Sequence, residues 1–280
     1  MAASRFRLPL LALALMGTLA ACGGGSSSSS VDPDEGVVDP VDPSEPVAPV
    51  EPGPDGGARP GAAADCFNAV LYTTSATVRL EYAVSGPLSG TSVSEYTITP
   101  AATFEGQSTS KAQGTVSTTY TGQPSAVSNV QTFVQVDGLA LNELGNITET
   151  FMLGSIITTR SVNQPVYRDS KFMLAAGASD ERSFDRVTVI SGPFVPDSMV
   201  RTTETRRVTY TGRETVTVPA GTFETCRFEF TVAIKGERDT ATDWVAVGSG
   251  VSVKSVARDA GSAAETTLEL TQGRINGGAI

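Results

Sequence analysis

From Thr77 onward the chain alternates apolar and polar positions with a period of two. Val78, Leu80, Tyr82 and Val84 take turns with Arg79, Glu81 and Ala83 before Gly86-Pro87. That period puts one set of side chains on each face of an extended strand. The same signature returns in Cys226, Phe228, Phe230, Val232 and Ile234, which alternate with Arg227, Glu229, Thr231, Ala233 and Lys235. Ahead of this run lies Val216-Thr-Val-Pro-Ala-Gly-Thr-Phe223, in which Pro219 presets φ for a turn and Gly221 can take positive φ. A hairpin over Val216–Ile234 is predicted, with a three-residue loop and a bulge. Asp137-Gly138 between Val127–Val136 and Leu139–Leu144 predicts a second hairpin.

Weaker runs extend the pattern. Thr91–Thr99 stops at Pro100, and Thr115–Thr121 precedes Gly122-Gln123-Pro124. Gly145-Asn146 separates the preceding hairpin from Ile147–Arg160, whose Phe151, Met152, Leu153, Ile156 and Ile157 are expected in the core. Phe172–Ala178 reads as a short helical turn, with Ser179 capping a second turn over Asp180–Phe184. Arg186–Ile190, Thr202–Tyr210, Glu214–Val218, Asp243–Val247, Val251–Ala257 and Glu265–Leu270 read as further strands. Roughly ten to thirteen strands without a long helical pattern predict an all-β fold. The expected form is a single, strongly curved antiparallel sheet, either an open half-barrel or a barrel.

The first quarter of the chain behaves differently. Residues 1–21 carry Arg5 and Arg7 ahead of an apolar run from Leu8 to Leu19, the layout of an export signal. Leu19-Ala20-Ala21-Cys22 resembles the lipobox of bacterial lipoproteins. That resemblance implies cleavage before Cys22, a diacylglyceryl group on its thiol and acylation of the new amino terminus, which together suffice for stable membrane anchoring. By the sorting pattern of Gram-negative lipoproteins, Gly23 after the cysteine implies the outer membrane. Residues 22–64 continue as Gly/Ser and then Pro/acidic sequence holding eight of the 16 prolines. Such a segment is expected to act as a disordered tether, on the order of 100 Å when stretched and roughly 35 Å as a coil. Asp32-Pro33-Asp34-Glu35-Gly36 lacks the spacing of a calcium loop. Residues 65–272 are expected to form one β-rich domain, with 273–280 as a flexible tail.

Charge and chemistry narrow the function. The net charge is −10 and the chain contains no histidine. An acidic chain lacks the basic footprint of a nucleic-acid binder. Without histidine, Ser-His-Asp and Cys-His nucleophiles and HExxH zinc sites are excluded. No cofactor or metal site is expected, and no G-x-S-x-G motif is present. Cys66 and Cys226 remain beside Cys22. In an exported domain a disulfide between them is the default, and the alternative is a buried inert thiol at Cys226 with a free one at Cys66. Trp244, the single tryptophan, reads as a large core residue.

Val-x-Val-Pro-Ala-Gly-Thr-Phe-x-x-Cys-x-Phe over Val216–Phe228 is followed by Trp244, Val247-Gly-Ser-Gly-Val251 and Lys254. Together these stretches resemble bacterial exported lipoproteins of uncharacterised function, with a domain similar to the half-barrel of periplasmic lipoprotein carriers (Lol-type). The resemblance implies a curved sheet with an apolar concave face. This chain departs from the soluble carriers in its anchor and tether. Three functions follow as expectations: a non-enzymatic lipoprotein holding an acyl chain or other apolar ligand, an envelope module engaging a protein partner through sheet edges or loops, and, more remotely, a carboxylate-based hydrolase. In each, the membrane is reached through the lipid on Cys22.

Overall fold

The computed structural model describes residues 61–152, 154–193 and 195–280. Cys22 and the tether up to Pro60 lie outside these. The β-strands follow one another as β1 (Ala76–Ser85), β2 (Gly90–Phe104), β3 (Gln107–Tyr120), β4 (Ala126–Asp137), β5 (Ala140–Met152) and β6 (Ser155–Asp169). Next come β7 (Ser179–Gly192), β8 (Val195–Val218), β9 (Gly221–Ile234), β10 (Glu237–Ala246), β11 (Ser252–Arg258), β12 (Thr266–Ile275) and β13 (Gly278–Ala279). Each strand pairs antiparallel with the next, and β1 also pairs β12 from Val78 opposite Ile275 to Ser85 opposite Thr267. That second ladder closes the sheet into a barrel of twelve strands. Closure leaves no unpaired seam on β1, the usual weakness of a curved open sheet.

Strand alternation builds the interior. Ala76, Val78, Leu80, Tyr82 and Val84 of β1 are buried inside, with Tyr96 and Ile98 of β2, Val253 of β11 and Leu268 and Leu270 of β12 packed around them. Burying each Val or Leu side chain contributes roughly 1.5–3 kcal/mol. On the other side of the interior, Cys226 and Phe228 of β9 join Val208, Tyr210, Val245 and Phe172. The β8–β9 turn is Pro219-Ala220, two residues long, with Gly221 at φ 143° starting the return strand. Its tip crosses the rim, where the Ala220 amide donates to the Leu270 carbonyl at 2.9 Å.

Because strands alternate in direction, the turns fall at two ends. The β8–β9 and β10–β11 turns share the end at which the described chain begins, which we call the lower rim. The β5–β6 and β7–β8 turns lie at the upper rim. A 3-10 turn at Ala63–Cys66, the one-turn helix α1 (Val70–Thr73) and a 3-10 turn at Lys171–Met173 fill the lower end. Leu71 is buried against the β2–β4 wall, and Phe67 stacks on Tyr72 and meets the Phe172 ring at a tilt.

Several expected boundaries move. β2 runs past Pro100 through a bulge, where Ala101 adopts φ 56°. The hairpin end is thereby redirected over the outside of the barrel, so that Phe104 stacks on Phe133 at 4.1 Å beside Leu144. Gly145 permits that contact, because a Cβ there would come 2.1 Å from the Ser161 carbonyl oxygen and 3.0 Å from the Phe104 ring. β5 continues through Gly145-Asn146, with a bulge at Leu144 in place of a turn. Asp180–Phe184, read from sequence as helical, belongs to β7, where Glu181 faces Arg207 across the pair. The two runs Thr202–Tyr210 and Glu214–Val218 lie on one strand, bulged at Thr211. Beyond Ile275 the residues read as a flexible tail turn back at Asn276-Gly277 as β13, and the Ile280 amide donates to Gly273 at 3.3 Å.

Candidate functional site

Three regions concentrate chemistry: the lower rim, the charged side of the lumen and the upper rim beside β8.

At the lower rim, Cys66 and Cys226 are joined in a disulfide between Cα atoms 6.2 Å apart. Polar contacts reinforce the bridge. Arg213 pairs with Asp65 and with Glu224, the Tyr210 hydroxyl donates to the Gly61 carbonyl at 2.6 Å, and the Gly248 amide donates to the Asp65 carbonyl at 2.9 Å. Asn68 Nδ2 donates to the Ser249 carbonyl at 3.0 Å. The chain is thus pinned where it enters the barrel. Above this plug a cavity of about 30 Å³ is lined by Leu71, Tyr72, Tyr96, Ile98, Ala112 and Thr132, among others. That is room for about one water.

The lumen wall formed by β5–β8 is charged. Arg186 Nε donates to Glu204 Oε2 at 3.0 Å, and Arg206 Nε donates to the other oxygen of Glu204. Arg206 Nη1 reaches Glu143 Oε2 at 3.3 Å, while Asn163 Nδ2 donates to the Glu143 carbonyl at 3.0 Å. The Arg206 guanidinium lies 4.6 Å from the centre of the Tyr167 ring and 5.2 Å from that of Phe184. Burial by itself would raise the Glu204 pKa, but Arg206 and Arg186 outweigh it and hold the carboxyl below its ordinary range. Two arginines and two glutamates therefore balance, and each carboxylate is occupied by a guanidinium. Glu204 has neither the raised pKa of a general acid nor a free face for nucleophilic attack.

Two more carboxylates sit in the lumen nearby. Lys171 Nζ pairs with Asp169 at 2.6 Å; burial works against its charge, yet Asp169 and Tyr72 hold its pKa above the usual lysine value. Asp243 accepts from the Ser255 hydroxyl inside the wall. Burial pushes its carboxyl up to about 6, only partly offset by Ser255 and Lys171. Among the described residues no group of three or more Cys, Asp or Glu side chains is arranged to hold a metal ion.

At the upper rim the β7–β8 hairpin stands above its neighbour. β8 pairs β7 up to Val195, but its pairing with β9 begins only at Glu204 opposite Ile234. Among the described residues no strand lies against β8 on that side between Pro196 and Thr203. Backbone donors and acceptors at such an edge are open to another strand. Large apolar side chains are exposed at the same rim: Met199 (73% exposed) on β8, Phe151 (69%) and Ile156 (52%) flanking the β5–β6 turn, and Val127 at the start of β4.

The structure sorts the sequence expectations accordingly. Phe151 and Ile156, expected in the core, point outward because the turn falls at Gly154 and places both on the wet face. Ile157 faces inward and is half-buried; Leu153 and the Met152 side chain lie outside the described residues. Trp244 is half-buried on the outer face, where its Nε1 donates to Glu214 between Arg227 and Lys254. The lumen charges were not singled out by the sequence. Their one signal is that Glu143, Arg186, Glu204 and Arg206 occupy inward positions where alternation calls for apolar residues.

No protein-family profile matches the chain, and no curated protein matches it. Among solved structures it is similar to a β-barrel-like protein of domain of unknown function DUF1849 from Brucella abortus, at 9% identity and a TM-score of 0.41, over 71% of this chain and 97% of that one. It is also similar to the hypothetical lipoprotein YmcC from Escherichia coli, at 11% identity and a TM-score of 0.29, over 51% of this chain and 77% of that one.

Proposed function

We propose that this chain is a non-enzymatic, lipid-anchored interaction module of the bacterial envelope, engaging a partner strand through the free edge of β8. The observation that carries this reading is the unpaired edge from Pro196 to Thr203, with Met199 exposed beside it. Strand addition supplies affinity through main-chain hydrogen bonds and specificity through the side chains of alternate residues. The lower rim, where the tether enters, is at the opposite end of the barrel, so the anchor leaves this edge clear. Lipidation at Cys22 and Gly23-directed sorting to the outer membrane are part of the same reading and rest on the lipobox.

The second reading is an apolar ligand, such as an acyl chain, held in the barrel as in Lol-type carriers. The apolar lining of Leu71, Tyr96 and Ile98 favours it, but the cavity they line, about 30 Å³, has room for about one water and none for an acyl chain. Two measurements separate the readings. Native mass spectrometry of the full-length protein extracted from membranes should show the triacylated chain with no further lipid. A photo-crosslinking residue at position 199 should give a discrete protein adduct that is lost on Thr202→Pro, whereas one at Glu229, in the fully paired part of the outer wall, should give none. A stoichiometric bound lipid together with no adduct at position 199 would overturn the interaction reading in favour of the ligand reading.

A further inference from the structure

We infer that the partner strand is β8 of a second copy of this chain, paired antiparallel about a two-fold axis through Met199. This deepens the proposed function and rests on its reading of the β8 edge. The exposed edge reads Pro196-Asp-Ser-Met-Val-Arg-Thr-Thr203, with one acidic and one basic side chain placed symmetrically about the methionine. Met199 and Arg201 share the outward face, alternating with Ser198, Val200 and Thr202, and Asp197 is exposed just above them, in the bulge between Val195 and Ser198. In an antiparallel pair centred on Met199, residue 197 of one copy stands opposite residue 201 of the other, twice over. Directly opposed unlike charges on one sheet face attract, and like charges repel.

Neighbouring registers are disfavoured by the same two residues. Moving the axis two positions one way sets Asp197 against Asp197; two positions the other way sets Arg201 against Arg201. A shift of the axis by one residue removes the ion pairs and leaves both charges facing neutral side chains. The edge thus carries its own register code, as an isologous interface requires. Arg201 is available for it: its side chain is 62% exposed and rests on Asp185 at 3.2 Å and on Gln164 at 3.4 Å. Asp185 keeps its bond from Thr203 Oγ1 at 2.7 Å when Arg201 turns away. Met199, with nothing packed over it in the single chain, meets its own counterpart on the axis.

The pairing stacks the two barrels upper rim to upper rim, so the two chain entries lie at the far ends of the dimer. The 38 residues between Cys22 and Gly61 span at most about 130 Å. That reach lets both lipid anchors enter one membrane from opposite ends of the pair, a demand that a short linker would not meet.

The test uses the full-length lipidated protein in detergent micelles. Met199→Cys places a thiol on the axis and should give a disulfide-linked dimer under mild oxidation, mapped by mass spectrometry to position 199 in both copies. Thr203→Cys, whose counterpart lies eight residues away along the paired strands, should not. Sedimentation velocity should show D197R and R201D each weakening self-association on the order of tenfold, with the D197R/R201D double exchange restoring it. Restoration distinguishes register-specific pairing from damage to the hairpin.

The inference is overturned if the protein stays monomeric across the accessible concentrations, if M199C and T203C cross-link equally, or if the double exchange fails to recover what the single reversals lose. A monomer that still gives a discrete heterologous adduct at position 199 overturns self-pairing alone and leaves the interaction reading standing. A monomer without any adduct there overturns both.

Discussion

Asp243 makes the stability of the barrel depend on pH in a direction opposite to that of most carboxylates. Its side chain is buried in the wall, accepts a hydrogen bond from Ser255, and titrates at about 6 against an ordinary value of 3.8. On raising the pH, the unfolded chain releases this proton near pH 4, while the folded chain keeps it to about pH 6. Between those limits the native state binds more protons, so stability falls as pH rises and reaches its full loss above pH 6. A difference of about 2 between the folded and unfolded values corresponds to roughly 3 kcal/mol. Asp243→Asn removes the titration while leaving an oxygen to accept from Ser255. The variant should match the parent near pH 4, apart from a constant offset, and exceed it by roughly 3 kcal/mol at pH 8. Urea unfolding at half-unit intervals from pH 4 to 8, followed by Trp244 fluorescence, measures both. Lys171, held above the usual lysine value, stays charged throughout this range, so the difference between the two curves isolates Asp243. A difference that stays flat within about 1 kcal/mol across that range, or one that grows toward low pH, would refute the reasoning.

Two further outcomes test the other buried contacts. Cys66→Ala with Cys226→Ala opens a loop spanning a sequence separation of 160 and should cost roughly 5 kcal/mol on the chain-entropy account, read as a lower urea midpoint; a loss below about 1 kcal/mol would sink it. Glu204→Gln leaves Arg186 and Arg206 to share Glu143 and should destabilise by about 3–5 kcal/mol at pH 7. Because Glu204 titrates below its ordinary range when folded, that deficit should shrink as pH falls through the carboxylate range, and a deficit constant down to pH 3 would contradict the pairing.

Elements whose faces differ sharply in polarity were legible in the sequence. β1 is an example: five inward apolar residues alternate with wet ones, and Gly86-Pro87 marks its end. The hairpins at Asp137-Gly138 and Pro219-Ala220-Gly221 were legible for the same local reason, since turn chemistry is written in adjacent residues, but the loops themselves are Gly138-Leu139 and, in place of the expected three residues, Pro219-Ala220. Where the outward face is polar and the inward face is polar too, periodicity disappears. β7 begins Ser-Asp-Glu-Arg-Ser and reads as a capped helical turn, yet its ladder to β8 supplies the hydrogen bonds that hold it extended. Gly212 on β8 resembles a turn residue but stands beside a bulge, because the strand changes its twist there without reversing.

The candidate site was less legible, for a reason of distance. Glu143 and Arg206 are 63 residues apart, and Arg186 and Glu204 are 18 apart on adjacent strands. Nothing local announces which inward charge meets which. The Cys66–Cys226 pair could be named in advance because cysteine is scarce; glutamate and arginine are not. The β8 edge was hidden differently, since an unpaired edge is defined by where the neighbouring strand stops, and β9 turns at Lys235-Gly236 before reaching it.

The clamp at the lower rim also determines how the barrel meets mechanical traction. A pull on the chain ahead of Gly61 arrives at Gly61–Cys66 and passes through the covalent bridge into β9, a strand held by ladders to β8 and β10 on both sides. Peptide backbone beyond Cys66, including α1 and the start of β1 at the seam with β12, carries none of that tension while the bridge is intact. Reduction reroutes the same pull along the backbone to β1. Pulling on the chain ahead of Gly61 then unzips the barrel from its closure, so the oxidised bridge sets whether the domain is dragged as a rigid body or unravelled from its first strand.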